Sequence, residues 1–235
     1  MLQVKCLAVD VDGTLTDEAG EIPVPVVEVL RQLRTKGFHV ILVSGNSYLS
    51  LYALSRYLPV TKLVVAENGG VIGYREGYTI LGRKEDGLEI QKLVAERLTN
   101  ILVESWHNRF RFVDMAFHPA PGVNVSDAVA KATNELRPLG LEVVYSGWAI
   151  HIHKLGVNKG TGLLEVCKRL ELEPSEIVAI GDSSVDKPMF EIAGLGIALA
   201  NSPIELKEAA TLVTKEGYWK GFLEALHILE RKGFL

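Results

Sequence analysis

Disulfide frameworks, membrane spans and a basic surface are all missing from this sequence, and each absence narrows what it can be. Two cysteines, Cys6 and Cys167, occur in 235 residues. That is too few for a disulfide-built scaffold and suits a reducing compartment, and both sit in apolar surroundings, as small core residues do. No apolar run approaches the roughly 20 residues that a membrane span requires. Excess positive charge is lacking too: 29 acidic against 25 basic residues leave a formal charge of −4, which argues against broad binding to nucleic acid or anionic membranes. There is no internal repeat, low-complexity tract or flexible linker. The first residues carry Lys5, Asp10 and Asp12 and show no secretory-signal pattern, so a cytoplasmic protein is expected.

What remains is a globular composition, 48% hydrophobic and 23% charged, long enough for a sizeable core in one or two domains. The mean hydropathy of +0.18 comes from many short Val/Ile/Leu runs, the signature of a buried parallel sheet. Strands are expected at Val4–Val9, His39–Val43 and Lys62–Ala66, alternating with helices at Pro25–Lys36 and Ser47–Leu58, which implies βαβ units. Val71–Tyr74 and Tyr78–Leu81 read as a hairpin around Arg75-Glu76-Gly77. The rhythm then changes to helix Leu88–Leu98, strand Phe110–Phe117, helix Val125–Leu136 and strands Glu142–Tyr145 and Ala149–His153. From Lys159 the βα order resumes with helix Gly160–Leu170, strand Ile177–Ile180, a helix, the short strand Gly196–Ala198 and two further helices. The expectation is an α/β fold: a Rossmann-like, doubly wound, mostly parallel sheet core (residues 1–82 and 156–235) with an inserted α+β cap (residues 83–155).

The sharpest local signal is Val9-Asp10-Val11-Asp12-Gly13-Thr14. Two carboxylates at i and i+2, where a buried strand gives way to a glycine turn, leave the strand on the same side. They repel unless a cation, a shared proton or open water relieves them. Asp and Gly are also ordinary turn residues, and a lone Asp-x-Asp is found in metal-dependent glycosyltransferases, so the string needs support from elsewhere. Three signals supply it, each at a predicted strand end or helix start: Ser44-Gly45-Asn46-Ser47 after Val43, Lys159 after Gly156-Val157-Asn158, and Gly181-Asp182-Ser183-Ser184-Val185-Asp186 after Ile180. If the strands are parallel, these groups converge with Asp10 and Asp12 at one sheet edge, where open α/β sheets bind ligands. Four carboxylates, a hydroxyl and an ammonium suit phosphoryl transfer to and from an aspartate, with Mg²⁺ held by oxygen ligands. A receiver-like phospho-acceptor combines similar groups but expects its aspartate on the third strand and no cap. A glycosyltransferase gives Lys159 and Gly181-Asp182 no role.

Asp10-Val11-Asp12-Gly13-Thr14, Ser44, Lys159 and Gly181-Asp182 with Asp186 resemble the four motifs of the haloacid-dehalogenase (HAD) superfamily of aspartate-nucleophile phosphatases, over the whole chain. The insert resembles the type IIB (Cof-type) cap. Ser44-Gly45-Asn46, Glu67-Asn68-Gly69-Gly70 and Tyr145-Ser146-Gly147 further resemble the archaeal phosphoglycolate phosphatases. The resemblance implies Asp10 as nucleophile and Mg²⁺ ligand, and Asp12 as general acid/base that binds the metal through its backbone carbonyl. It implies Asp182 and Asp186 as the remaining metal ligands, and Lys159 and Ser44, with Gly45 and Asn46, as the grip on the phosphoryl group. The chain departs from the family at Val185, where Asn is common, with Ser183 and Ser184 as candidate replacements, and at Asn46, where many capped relatives have Arg. The implied partner is a small phosphorylated metabolite, 2-phosphoglycolate first and a sugar phosphate second. Specificity is expected in the cap and at Glu67-Asn68-Gly69, with Arg109 and Arg111 as candidates for a bidentate contact to a substrate carboxylate and His151, read first as an exposed or hydrogen-bonding histidine, as a further cap candidate. Two histidines, His151 and His153, share one strand face and are too few for a zinc site. Monomer and homodimer both remain open.

Overall fold

The structure, a computed structural model, describes residues 3–235. Its larger sheet starts from apolar tetrads and pentads that are buried on both faces. Strands β1 (Cys6–Val9), β2 (His39–Val43) and β3 (Val64–Ala66) follow one another across the sheet. An antiparallel hairpin, β4 (Val71–Tyr74) and β5 (Gly77–Ile80), closes that edge. Four strands of a second, antiparallel sheet come next in the chain: β6 (Leu102–Glu104), β7 (Met115–Pro119), β8 (Leu141–Tyr145) and β9 (Ile150–Lys154). The chain then returns to the other side of β1 with β10 (Ile177–Gly181), β11 (Leu195–Ala198) and β12 (Leu212–Val213). The order β12-β11-β10-β1-β2-β3-β4-β5 therefore reverses direction at β1, so the carboxyl ends of β1 and β10 flank the topological switch point.

Side-chain alternation builds two cores on this sheet. Leu7 and Val9 face the layer holding helices α1 (Val24–Thr35), α2 (Tyr48–Tyr57) and, from the far end of the chain, Tyr218–Arg231. Cys6 and Ala8 face the layer of helices Lys159–Leu170 and Lys187–Ile192. Both cysteines are free and buried in that second layer, and burial pushes the Cys6 thiol well above its ordinary range. The mostly parallel, doubly wound sheet is as expected.

The smaller sheet, ordered β6-β7-β9-β8, has its own core against Ile90, Val94, Leu98, Ala128, Ala132 and Leu136. They recur at helical spacing on Asp86–Arg97, with Leu98 at its C-cap, and on Val125–Leu136. One strand expected here differs. The predicted strand Phe110–Phe117 is split: Trp106–Phe110 forms a 3₁₀ turn and only Met115–Pro119 joins the sheet. The reason lies in the core. The buried Glu67 carboxylate accepts the amides of Phe112 (2.9 Å), Val113 (2.9 Å) and Asp114 (3.3 Å), which removes those donors from any ladder. Strands Leu102–Glu104 and Leu212–Val213 were not expected; three- and two-residue strands carry too little periodicity to read.

Candidate active site

Asp10 is the first residue past β1, and its amide still donates to the Ile180 carbonyl of β10 at 3.0 Å. Its side chain is thereby aimed over the crevice between the two strands. There the Lys159 ammonium bonds Asp10 Oδ1 at 2.8 Å and Asp186 Oδ1 at 2.6 Å. Lys159 is itself 1% exposed although it is a lysine. It opens helix Lys159–Leu170, whose capping box uses Asn158 and Thr161. A cation at a helix start is opposed by the helix dipole, and the two aspartates supply the compensation. Burial alone works to lower the Lys159 pKa, but Asp10 and Asp186 outweigh it and hold the ammonium charged.

The third acid, Asp182, ends the β10 turn. Thr14 Oγ1 donates to its Oδ1 at 2.7 Å, and Asn201 Nδ2 donates to its Oδ2 at 3.0 Å and to the Gly13 carbonyl at 3.1 Å. Gly13 has φ +84°, and a Cβ there would lie 2.3 Å from Asp182 Oδ2; only glycine lets the first turn pass this close to the acid. Asp186 is anchored from behind, its Oδ2 accepting the amides of Asp182 (3.0 Å) and Ser183 (2.9 Å) and the Ser183 hydroxyl (3.3 Å). Of the two candidates to stand in for the missing Asn at Val185, Ser183 makes this contact, while Ser184 is exposed.

Asp10, Asp182 and Asp186 each offer an oxygen within 4.8 Å of the others. Three carboxylates face one buried ammonium, so the cluster is short of positive charge. Burial pushes Asp10 well above the usual carboxylate range, with Lys159 opposing and Asp186 and Asp182 reinforcing. Burial and the neighbouring Asp186 raise Asp182 to about 7. A donor set of hard carboxylate oxygens with a deficit of positive charge fits a small divalent cation such as Mg²⁺. The linkage has a definite sign. Between the unfolded carboxylate pKa of about 3.9 and about 7, the native state binds more protons than the unfolded one, so the metal-free protein loses stability as pH rises. Melting in EDTA should therefore fall from pH 6 to pH 8 by more than in an Asp182→Asn variant. Added Mg²⁺ should raise Tm more at pH 8, where no proton must be displaced; equal Mg²⁺ shifts at both pH values would refute this.

Asp12 lies outside that carboxylate cluster. It is exposed, and Asn46 Nδ2 bonds its Oδ2 at 2.7 Å. The same Nδ2 donates to Ser44 Oγ at 3.1 Å, and the Asn46 amide reaches that oxygen at 3.0 Å. Ser44 is buried. Asn46 thus ties the second acid to the loop after β2. Asp10, Asp12, Ser44, Gly45, Asn46 and Lys159 all line one cleft of about 410 Å³, whose opposite wall comes from the smaller sheet.

The cap groups are placed otherwise than expected. Arg109 lies in the 3₁₀ turn, exposed, with its Nε on the Trp106 carbonyl at 3.1 Å and its guanidinium over the Trp106 ring; it does not line the cleft. Arg111 does, with part of its fork committed. Nη1 bonds Asp114 Oδ2 at 2.8 Å, Nη2 bonds the Gly45 carbonyl at 2.8 Å, and Nε is buried without a partner. Arg111 thus links the two sheets while still lining the cleft. His151 lines the cleft beside it and bonds Asp114 Oδ2 through Nδ1 at 2.7 Å. His153 is turned to a neighbouring cavity, with its Nδ1 near the Lys154 carbonyl. Sequence reading missed Asp114, Asn201 and Thr14 as supports, since each is a common polar residue whose partner is far away in the chain. Glu67 and Asn68, singled out from sequence, have φ of +52° and +50°, a costly conformation for residues with a Cβ. It is held by the clamp on Phe112–Asp114 and by the Asn68 amide on the Ser44 carbonyl at 3.2 Å.

Residues 7–113 and 124–226 match the family described as haloacid dehalogenase-like hydrolase. The phosphoglycolate phosphatase of Methanoculleus marisnigri is 36% identical over 229 residues, 95% of either chain. That of Archaeoglobus fulgidus is 35% identical over 231 residues, 97% of this chain and 98% of its own. Among solved structures, Thermoplasma acidophilum 0175 superposes with a TM-score of 0.86 at 26% identity, covering 99% of this chain and all of its own.

Proposed function

The chain belongs to the haloacid dehalogenase-like hydrolase family, and from that premise we propose that it is a Mg²⁺-dependent phosphatase of a small carboxylated phosphomonoester, 2-phosphoglycolate. The observation that carries the reading is the placing of Asp10 and Asp12 in one cleft under two different environments: Asp10 buried on Lys159, Asp12 exposed on Asn46. Two carboxylates kept apart in this way can take different tasks.

Asp10 attacks phosphorus, its carboxylate oxygen forming a P–O bond as the ester P–O bond breaks. Asp12 gives its proton to the leaving alkoxide. It then takes a proton from the water that attacks the aspartyl phosphate, and Asp10 and inorganic phosphate are released. Lys159, the Ser44 hydroxyl and the loop amides of Gly45 and Asn46 hold the phosphoryl oxygens. Asp10, Asp182 and Asp186, with the Asp12 carbonyl, would hold Mg²⁺, which supplies charge neutralisation for the acids and the phosphoryl group. Residues 83–155 act as the cap over the leaving group; their separate core and the neutral-to-cationic wall they present support that role. Among the described residues no helix is long and apolar enough to cross a membrane, and a cytoplasmic metabolic role fits the proposed substrate.

The test is phosphate release from a panel of esters with Mg²⁺ present. We expect kcat/KM for 2-phosphoglycolate to exceed that for hexose and pentose phosphates by at least about 10-fold, the scale that one charge-assisted hydrogen bond supplies. Faster release from a sugar phosphate would replace the substrate, not the chemistry.

A further inference from the structure

The cap wall of the cleft carries Ser105, His107, Arg111, His118, Ser146 and His151, and no carboxylate. Facing it, the core wall carries the acids that handle the phosphate. Such a division favours a substrate with a second anion at the end remote from phosphorus. The question is which cap group receives it, since Arg111 is already tied to Asp114 through Nη1 and to the Gly45 carbonyl through one Nη2 hydrogen.

His151 is the group the structure prepares. Ala116 of β7 pairs with His151 of β9, which sets the ring beside Asp114 just before β7 begins. Asp114 is fully buried, and one of its oxygens accepts from His151 Nδ1 at 2.7 Å and from Arg111 Nη1 at 2.8 Å, with Asn68 Nδ2 at 3.4 Å. An ionised carboxylate can only accept, so Nδ1 carries its hydrogen toward Asp114 and the tautomer is settled. Burial works against the Asp114 charge, but His151, through charge and hydrogen bond, and then Arg111 outweigh it and hold the acid below its usual range. Among the described residues Nε2 of His151 has no hydrogen-bond partner, while the ring belongs to the cleft lining shared with Asp10 and Lys159. Asp114 is itself anchored, its amide on Glu67 and its segment tied to Gly45 through Arg111.

We propose that His151, oriented by Asp114, is the specificity-determining residue that binds the substrate's carboxylate through Nε2–H. The reading rests on a carboxylated phosphomonoester as substrate. With such an ester bound, the imidazole stands between two carboxylates, that of Asp114 and that of the substrate. A proton on Nε2 then serves both. An uncharged leaving group offers no second carboxylate and gains nothing from His151.

The test compares 2-phosphoglycolate with 2-hydroxyethyl phosphate, which replaces the carboxylate by a hydroxymethyl group and leaves the phosphoryl chemistry alone. For His151→Gln, kcat/KM on 2-phosphoglycolate should fall by about 10- to 100-fold, mostly through KM, as loss of a charge-assisted hydrogen bond implies. On 2-hydroxyethyl phosphate it should change by less than about threefold, which also reports that the fold and the catalytic groups are intact. Asp114→Asn, which keeps the ring and removes the charge behind it, should likewise narrow the ratio of the two kcat/KM values, beyond whatever it costs both esters alike through Arg111 and Gly45. A wild-type preference for 2-phosphoglycolate that survives both substitutions, or that falls in step with the neutral ester, overturns the role of His151 and leaves the substrate reading standing. Equal wild-type efficiency on the two esters overturns both.

Discussion

Asp10→Asn is expected to release phosphate at least about 10⁴-fold more slowly than the natural chain, the scale on which enzymes lose rate when a covalent nucleophile is removed. The substitution keeps the shape of the side chain and a carbonyl oxygen for Lys159, which bonds Asp10 Oδ1 at 2.8 Å. It removes one of three crowded carboxylates. Burial, only partly opposed by Lys159, already favours the neutral form of Asp10. A neutral amide therefore costs the apo fold little, and Tm should change by no more than a few degrees. Single-turnover assays with acid trapping of phosphoprotein, beside a melting curve, check both halves. Turnover near the natural level in a well-folded variant would remove Asp10 from the role of nucleophile.

Lys159→Met should be damaging in two separable ways. Lys159 is the buried cation between Asp10 and Asp186, at 2.8 and 2.6 Å. Its loss leaves two buried acids without their partner, an effect of about 3–5 kcal/mol. At about 2–4 °C per kcal/mol for a chain of this length, melting should drop by about 6–20 °C. Catalysis should fall by at least about 10³-fold, because the group that holds Asp10 and, in the proposed mechanism, the phosphoryl oxygens is gone. The double variant Lys159→Met/Asp186→Asn should recover much of the stability, since one orphaned charge is removed, and none of the activity. Unchanged melting in the single variant would mean that the buried ion pairs contribute nothing to the fold.

The two sheets were legible in unequal measure. His39–Val43 and Val125–Leu136 fall where the pattern places them, because a buried pentad and an amphipathic helix advertise themselves through short-range periodicity. Phe110–Phe117 has the same apolar look, yet half of it is not strand. Its amides answer to Glu67, more than forty residues earlier, and no local pattern encodes that partner. The acidic site was legible because Asp10, Asp12, Asp182 and Asp186 lie where strands end, and a parallel sheet gathers such ends at one edge. The surroundings of two arginines were hidden for a related reason. Arg109 and Arg111 look like free cations in the sequence, but whether a guanidinium is free depends on what lies opposite, here Trp106, Asp114 and Gly45.

By itself the sequence determined the mostly parallel α/β core, the order of its elements, and the inventory of acids, hydroxyl and lysine that phosphoryl transfer uses. Those features follow from the period of apolar residues and from turn chemistry, both of which act within a few positions. Only the tertiary structure decided that Lys159 is buried between two aspartates, that Asn201 and Thr14 steady Asp182, and that His151 lines the cleft with its Nδ1 on Asp114. Each of these depends on charges and hydrogen-bond partners brought together from distant parts of the chain. At such distances it is the packing of the two sheets that selects the neighbour.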